Sequence, residues 1–167
     1  MQNAITLKPV DESNWRQALT LSVLPSQQRF VADHVSVAAI ALAKAYIRPD
    51  GLNWLPYAIY ADHDMVGFVE IALERNQPDD CWVFHFFIDH NYQGRGYSQA
   101  AMQALILIIK QTQPTCTGMC LVVHPENAAA QLLYRRIGFE ATGEERWGEP
   151  IYRLNLGANA QYVGPDV

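Results

Sequence analysis

Alternating apolar and polar residues from Ala4 to Val10 predict a first strand, and Asp11-Glu12-Ser13 then offers acceptors for a helix from about Asn14 to Leu21. Pro25 to Asp33 is polar and irregular. Ser36 stands where it can cap a second helix, whose small and apolar residues run to about Tyr46, and Pro49-Asp50-Gly51 imposes a turn. Leu55 to Tyr60 and Met65 to Glu74 are apolar, β-branched and aromatic runs separated by Ala61-Asp62-His63-Asp64, the pattern of an antiparallel hairpin closed off by Pro78-Asp79-Asp80. Cys81 to Asp89 has aromatics on both faces and is expected mid-sheet, covered on both sides.

Past a glycine-containing loop, Gln99 to Lys110 repeats Ala, Met, Leu and Ile at helical spacing and stops before Pro114. Met119 to His124 reads as a short strand. Asn127 can cap a helix over Ala128 to Arg136 that Gly138 ends, and Glu140 to Arg146 and Ile151 to Asn155 supply two last strands. The order β-α-α-β-β-β-α-β-α-β-β contains no repeat or linker, so a mixed sheet flanked by helices is expected, of the α/β (α+β) class.

Composition narrows this without redirecting it. With 167 residues, 50% hydrophobic and 17% charged, the chain has the length and apolar content of one folded domain, expected over residues 1–156, with a mobile tail over 157–167. A net charge of −5 gives a field that repels nucleic acid and anionic membrane, which leaves neither as an expected partner. Cys81, Cys116 and Cys120 form no CxxC pair and are expected as free, buried thiols. The five histidines show no ligand spacing, so no metal site is expected. MQNAITLKPV lacks the features of a signal peptide and no apolar run reaches spanning length, which points to a cytoplasmic location.

The chemistry concentrates in FFIDHNYQGRGYSQAAM, where a strand runs through Gly94 and Gly96 straight into a helix. Glycines there permit positive φ and close approach, so successive N–H groups at Arg95 to Ser98 can converge on phosphate oxygens at a helix N-terminus. A dinucleotide fingerprint would need a small residue at Gln99, and a P-loop would need a GxxxxGK run that is absent.

Gln93-Gly94-Arg95-Gly96-Tyr97-Ser98 resembles the Q/R-x-x-G-x-G/A signature of the GNAT superfamily of N-acetyltransferases, with Ser98 where Gly or Ala is usual. Asn127 through Leu133-Tyr134 to Gly138-Phe139 is similar to the second pattern of that superfamily, N-x-x-A-x-x-L-Y-x-x-x-G-F, and the likeness extends from Leu55 to Leu156. Trp82 to Gly96 and SQQRFVAD most resemble the bacterial spermine/spermidine acetyltransferase group.

The resemblance implies a seven-stranded, mostly antiparallel sheet with about four helices and a splayed strand pair at an acetyl-CoA site. It also implies direct attack by a primary amine within a ternary complex. Phe87 and Ile88 would offer backbone groups to the pantetheine arm and to the developing oxyanion, and Gln93 to Ser98 would hold the pyrophosphate. Asn127 would touch the pantetheine arm or merely cap its helix, and Tyr134 would protonate the departing thiolate. Trp82 lies where some members carry a catalytic Glu, so Glu70 and His85 are the candidate bases, directly or through water. Asp33, Glu74, Asp79 and Asp80 are candidates to border the acceptor cleft, with Trp54, Tyr57, Trp147 and Tyr152 as its aromatic lining. A noncatalytic acyl-CoA-binding module, and an acetyltransferase acting on a protein N-terminus or Lys, are the competing readings. Aromatic-rich C-terminal strands make a homodimer an open expectation.

Overall fold

The computed structural model describes residues 4–31, 35–73 and 79–157. Seven strands form one sheet: β1 (Ile5–Pro9), β2 (Asn53–Ala61), β3 (Asp64–Leu73), β4 (Asp80–Ile88), β5 (Gly118–Val122), β6 (Glu140–Arg146) and β7 (Glu149–Asn155). Their order across the sheet is β1-β2-β3-β4-β5-β7-β6, antiparallel except between β4 and β5. Four α-helices accompany them: α1 (Trp15–Ala18), α2 (Val37–Ile47), α3 (Tyr97–Thr112) and α4 (Ala128–Ile137), with 3-10 turns over Pro25–Phe30 and Pro49–Gly51.

Both faces of the sheet are covered. Met102, Leu105 and Ile109 of α3 join Tyr134 and Phe139 against Val69, Ile71 and Leu121. On the other face α1 and α2 bring Ala18, Ala38 and Ala41 onto Ala58, Phe68 and Phe87. The small residues of α2 let its backbone lie close to the sheet, whereas the α3 side chains each contribute about 1.5–3 kcal/mol through burial. Residues 32–34 and 74–78 include Asp33 and Glu74, so those two acceptor-cleft candidates lie outside the described residues.

The predicted elements are all present, with two local differences. The first helix is only Trp15–Ala18, opening where the Asn14 side chain turns back to accept from the Asp11 N–H at 2.9 Å and closing in a tighter turn in which the Thr20 N–H bonds the Gln17 carbonyl at 3.0 Å. Ser36 occupies the start of α2 but makes no capping bond, and its hydroxyl is buried without a partner among the described residues. Asn127 does cap α4, accepting from the Ala130 N–H at 3.2 Å, and Gly138 ends that helix at φ +108°.

Two features of β4 open the sheet. It pairs with β5 only through Asp80, Cys81 and Trp82, after which the two strands diverge. A bulge then inserts an extra residue in β4 opposite β3, between the Phe84 and Phe87 pairings, with His85 at φ +52°. The bulge reorients the side chains that follow without breaking the strand.

Candidate active site

Where β4 leaves β5, a cleft of about 370 Å³ opens, lined by His85 and Phe86 of β4, Leu121 to Val123 of β5, Tyr134 of α4, Lys44 of α2 and Trp147 of the β6–β7 turn. The Asp89 N–H donates to the Val66 carbonyl, so Asp89 and, two residues before it, Phe87 turn their backbone groups toward β3. By the same alternation Phe86 and Ile88 face the open edge. One of the two backbone positions assigned to Phe87 and Ile88 therefore moves from Phe87 to Phe86, and Phe87 instead stacks on Phe68 beneath α1 and α2.

The loop after β4 is tied down at its base. Asp89, 4% exposed, accepts from the backbone of Ser22 and Asn91. The Gln93 amide pairs with that of Gln27 and also donates to the Ile88 carbonyl at 3.0 Å. Gly94 and Gly96 take φ of +75° and +79°, and Gly96 is the N-cap of α3 with no side chain capping it. The backbone N–H groups of Arg95, Gly96 and Ser98 find no protein acceptor among the described residues. Uncapped donors at the N-terminus of a sixteen-residue helix fit a pyrophosphate. Tyr97 opens the helix, while the Arg95 guanidinium folds back onto the Asn91 carbonyl and the Tyr92 ring, shaping the loop with its side chain.

Tyr134 packs its ring against Phe139, and its hydroxyl has no hydrogen-bond partner among the described residues. Burial holds its phenol well above the usual range, so it stays a proton donor. Asn127 lines the same cleft while its side-chain oxygen is committed to capping α4.

At the other end, α2, β3 and β4 meet. Lys44 Nζ lies 3.0 Å from His85 Nε2, which is 3.7 Å from Glu70 Oε2. Glu70 is 0% exposed and neither carboxylate oxygen is hydrogen-bonded among the described residues. Burial raises Glu70 to about 8, against the opposing pull of Lys44. Burial, then Lys44, push His85 down to about 4, and burial lowers Lys44 despite Glu70. Near neutrality His85 is thus uncharged and Glu70 mostly protonated, and 3.7 Å is too long for a hydrogen bond, so theirs is a contact rather than an ion pair. Lys44 Nζ also stands over the rings of Trp54 and Phe84, at 4.7 and 5.2 Å.

Several acceptor candidates lie elsewhere. Asp80 is clamped by Arg153 through bonds of 3.0 and 2.7 Å in the closed part of the β4–β5 pair, and the Asp79 carbonyl accepts from Thr117 beside it. Tyr152 is buried with Arg135 on its hydroxyl, Trp54 donates to the Pro49 carbonyl beneath Lys44, and Tyr57 packs on the core. Of the four aromatics only Trp147 lines the cleft. Lys44 was missed in the sequence, although it is the one charged residue in VAAIALAKAYI, a signal that its amine has a buried destination.

The sheet splits after one short parallel pairing, and beyond the split the backbone N–H groups of Arg95, Gly96 and Ser98 are free among the described residues, open to an anionic ligand at the start of α3. Residues 15–139 match the model of the family described as Acetyltransferase (GNAT) family, and the chain belongs to that family of acetyl-CoA-dependent N-acetyltransferases. It is 30% identical over 146 residues to the spermine/spermidine N(1)-acetyltransferase of Bacillus subtilis (strain 168), covering 84% of this chain and 91% of that protein. A probable spermine N(1)-acetyltransferase of Bacillus subtilis subsp. natto matches equally. Among solved structures, an aminoglycoside acetyltransferase in complex with coenzyme A superposes with a TM-score of 0.73 at 15% identity, over 90% of this chain and 94% of that one. A ribosomal L7/L12 alpha-N-protein acetyltransferase in complex with coenzyme A gives 0.69 at 18%, over 91% and 94%. These two share the fold.

Proposed function

We propose that this chain transfers the acetyl group of acetyl-CoA to a primary amine of a polyamine, by direct attack within a ternary complex. The carrying observation is that Tyr134, whose hydroxyl has no hydrogen-bond partner among the described residues, and the imidazole of His85 line one cleft, with the carboxyl group of Glu70 buried 3.7 Å behind His85. The similarity to spermine/spermidine N(1)-acetyltransferase and the net charge of −5 support a cationic acceptor.

The cosubstrate supplies an activated acetyl thioester. Gly94 to Ser98 hold its pyrophosphate with backbone N–H groups, Asn127 flanks the pantetheine path, and Phe86 and Ile88 offer the open edge of β4, where an N–H stabilises charge developing on a carbonyl oxygen by a few kcal/mol. An incoming ammonium must shed a proton before it can attack. The proton passes His85 at the cleft wall and reaches Glu70 through an intervening water, since the 3.7 Å between the two side chains is too long for a direct hydrogen bond. Glu70, raised to about 8, accepts it in its ionised fraction, which grows above neutrality. Tyr134 returns a proton to the departing sulfur.

Thiol release from acetyl-CoA, measured against spermidine, spermine, aminoglycosides and N-terminal peptides, tests the proposal. Turnover concentrated on the polyamines is expected. Turnover only on peptides moves the acceptor to protein N-termini, and cofactor binding without release for any amine makes the chain a binding module.

A further inference from the structure

The acceptor end of the cleft already contains an amine. Lys44 reaches it from α2, and its Nζ is held at 3.0 Å from His85 Nε2 over the faces of Trp54 and Phe84. The Phe84 face and the His85 imidazole, which line the cleft, together with the ring of Trp54 buried behind them, form a seat for an ammonium or amine group. The chain's own lysine therefore sits where an acceptor amine would meet the base.

We infer that Lys44 is an acetylation site of the protein itself, modified by its own active centre when acetyl-CoA is bound and the acceptor cleft is free. The inference rests on the acetyltransferase reading above and adds a second acceptor to the same site. In the reaction, the Nζ lone pair forms an N–C bond to the acetyl carbonyl as the C–S bond breaks. One proton leaves Nζ toward His85 and one is delivered to the sulfur by Tyr134, which regains it from solvent as His85 releases its own there, so the products are Nε-acetyl-Lys44 and free coenzyme A. No further reactant is required.

Three features favour Lys44. Its side chain is confined, so the amine is presented at high effective concentration. Burial favours its uncharged, nucleophilic form. The neighbouring imidazole is uncharged, so it does not repel the amine and turns Nε2 toward it at 3.0 Å. Lys8 and Lys110, the other lysines of the chain, lie on β1 and in the last turn of α3, and neither lines the cleft.

The test incubates the intact protein with acetyl-CoA alone and follows its mass and its peptide map. The expected result is addition of one acetyl group at Lys44, at a rate per molecule independent of protein concentration. Saturating spermidine should suppress it, and Tyr134→Phe should slow it by about 100-fold, as loss of a general acid does. In Lys44→Arg the modification should vanish. Spermidine turnover without modification of Lys44 overturns the inference and leaves the proposed function standing. Modification at an unchanged rate in Tyr134→Phe overturns it too, since the lysine would then be reacting without the active centre. Absence of both turnover and modification sinks the inference together with the function.

Discussion

In the proposed mechanism a single atom of Tyr134 separates a packing role from a reacting one. Its ring is held by Phe139 and would remain so as phenylalanine, and its hydroxyl is bonded to nothing among the described residues. Removing that oxygen should therefore leave stability within about 0.5 kcal/mol, because no buried bond is broken. The same change should lower kcat by about 100-fold or more, since the thiolate leaves without its acid. Thermal melting and steady-state kinetics of Tyr134→Phe measure both, and equal loss of stability and rate would make the tyrosine a packing residue. The place of Tyr134 on α4, packed against Phe139 and facing the cleft, was legible from a spaced pattern ending in Gly138-Phe139. Lys44 was not, because what brings it to His85 is the packing of α2 on the sheet, which no local spacing encodes. Asp80 misled for the complementary reason: an acid beside a turn looks free until Arg153, far along the chain, is seen to clamp it.

At the scale of elements, the proposed function places the cofactor's pyrophosphate at the first turn of α3. Gly96 caps it at φ +79°, and a Cβ there would meet nothing within 4 Å. Gly96→Ala thus introduces backbone strain without a clash, about 1–2 kcal/mol. If the loop relieves that strain by rotating its N–H groups away, acetyl-CoA should bind about tenfold more weakly, with thermal stability reduced by no more than the strain. Calorimetric titration of acetyl-CoA decides it, and unchanged affinity would remove the loop from the pyrophosphate site. The glycines, the strand before them and the apolar stripe of α3 were all readable, since period and turn chemistry are written in adjacent residues. The His85 bulge was not. A bulge adds one residue to a strand without altering its composition, yet it re-aims every following side chain and decides that Phe86, rather than Phe87, faces the open edge.

In the proposed mechanism Glu70 joins the whole molecule to its chemistry, because α2, β3 and β4 must all be in place for its environment to exist. Folding raises its pKa from an ordinary 4.5 to about 8. Between those values the unfolded chain has released the proton and the folded chain keeps it, so the folded state binds more protons and stability falls as pH rises. The contribution is fully present below about 4.5 and is lost as pH climbs through about 8, by an amount on the order of a few kcal/mol. His85 acts oppositely: folding lowers it from 6.5 to about 4, so its contribution is present above 6.5 and is lost as pH falls through 4. Glu70→Gln keeps the shape and cannot ionise. Melting temperatures of the two proteins should converge near the acid end of the range, and the variant should become the more stable by about pH 8. Activity should move the other way, because a neutral amide takes no proton from His85: kcat/KM should fall and lose its rise toward alkaline pH. Parallel melting curves across that range would show that Glu70 ionises as freely in the fold as in solution. A retained alkaline rise in the variant would assign the proton to another acceptor. The two outcomes are separable because one reads the cost of burying the carboxyl group and the other reads its use.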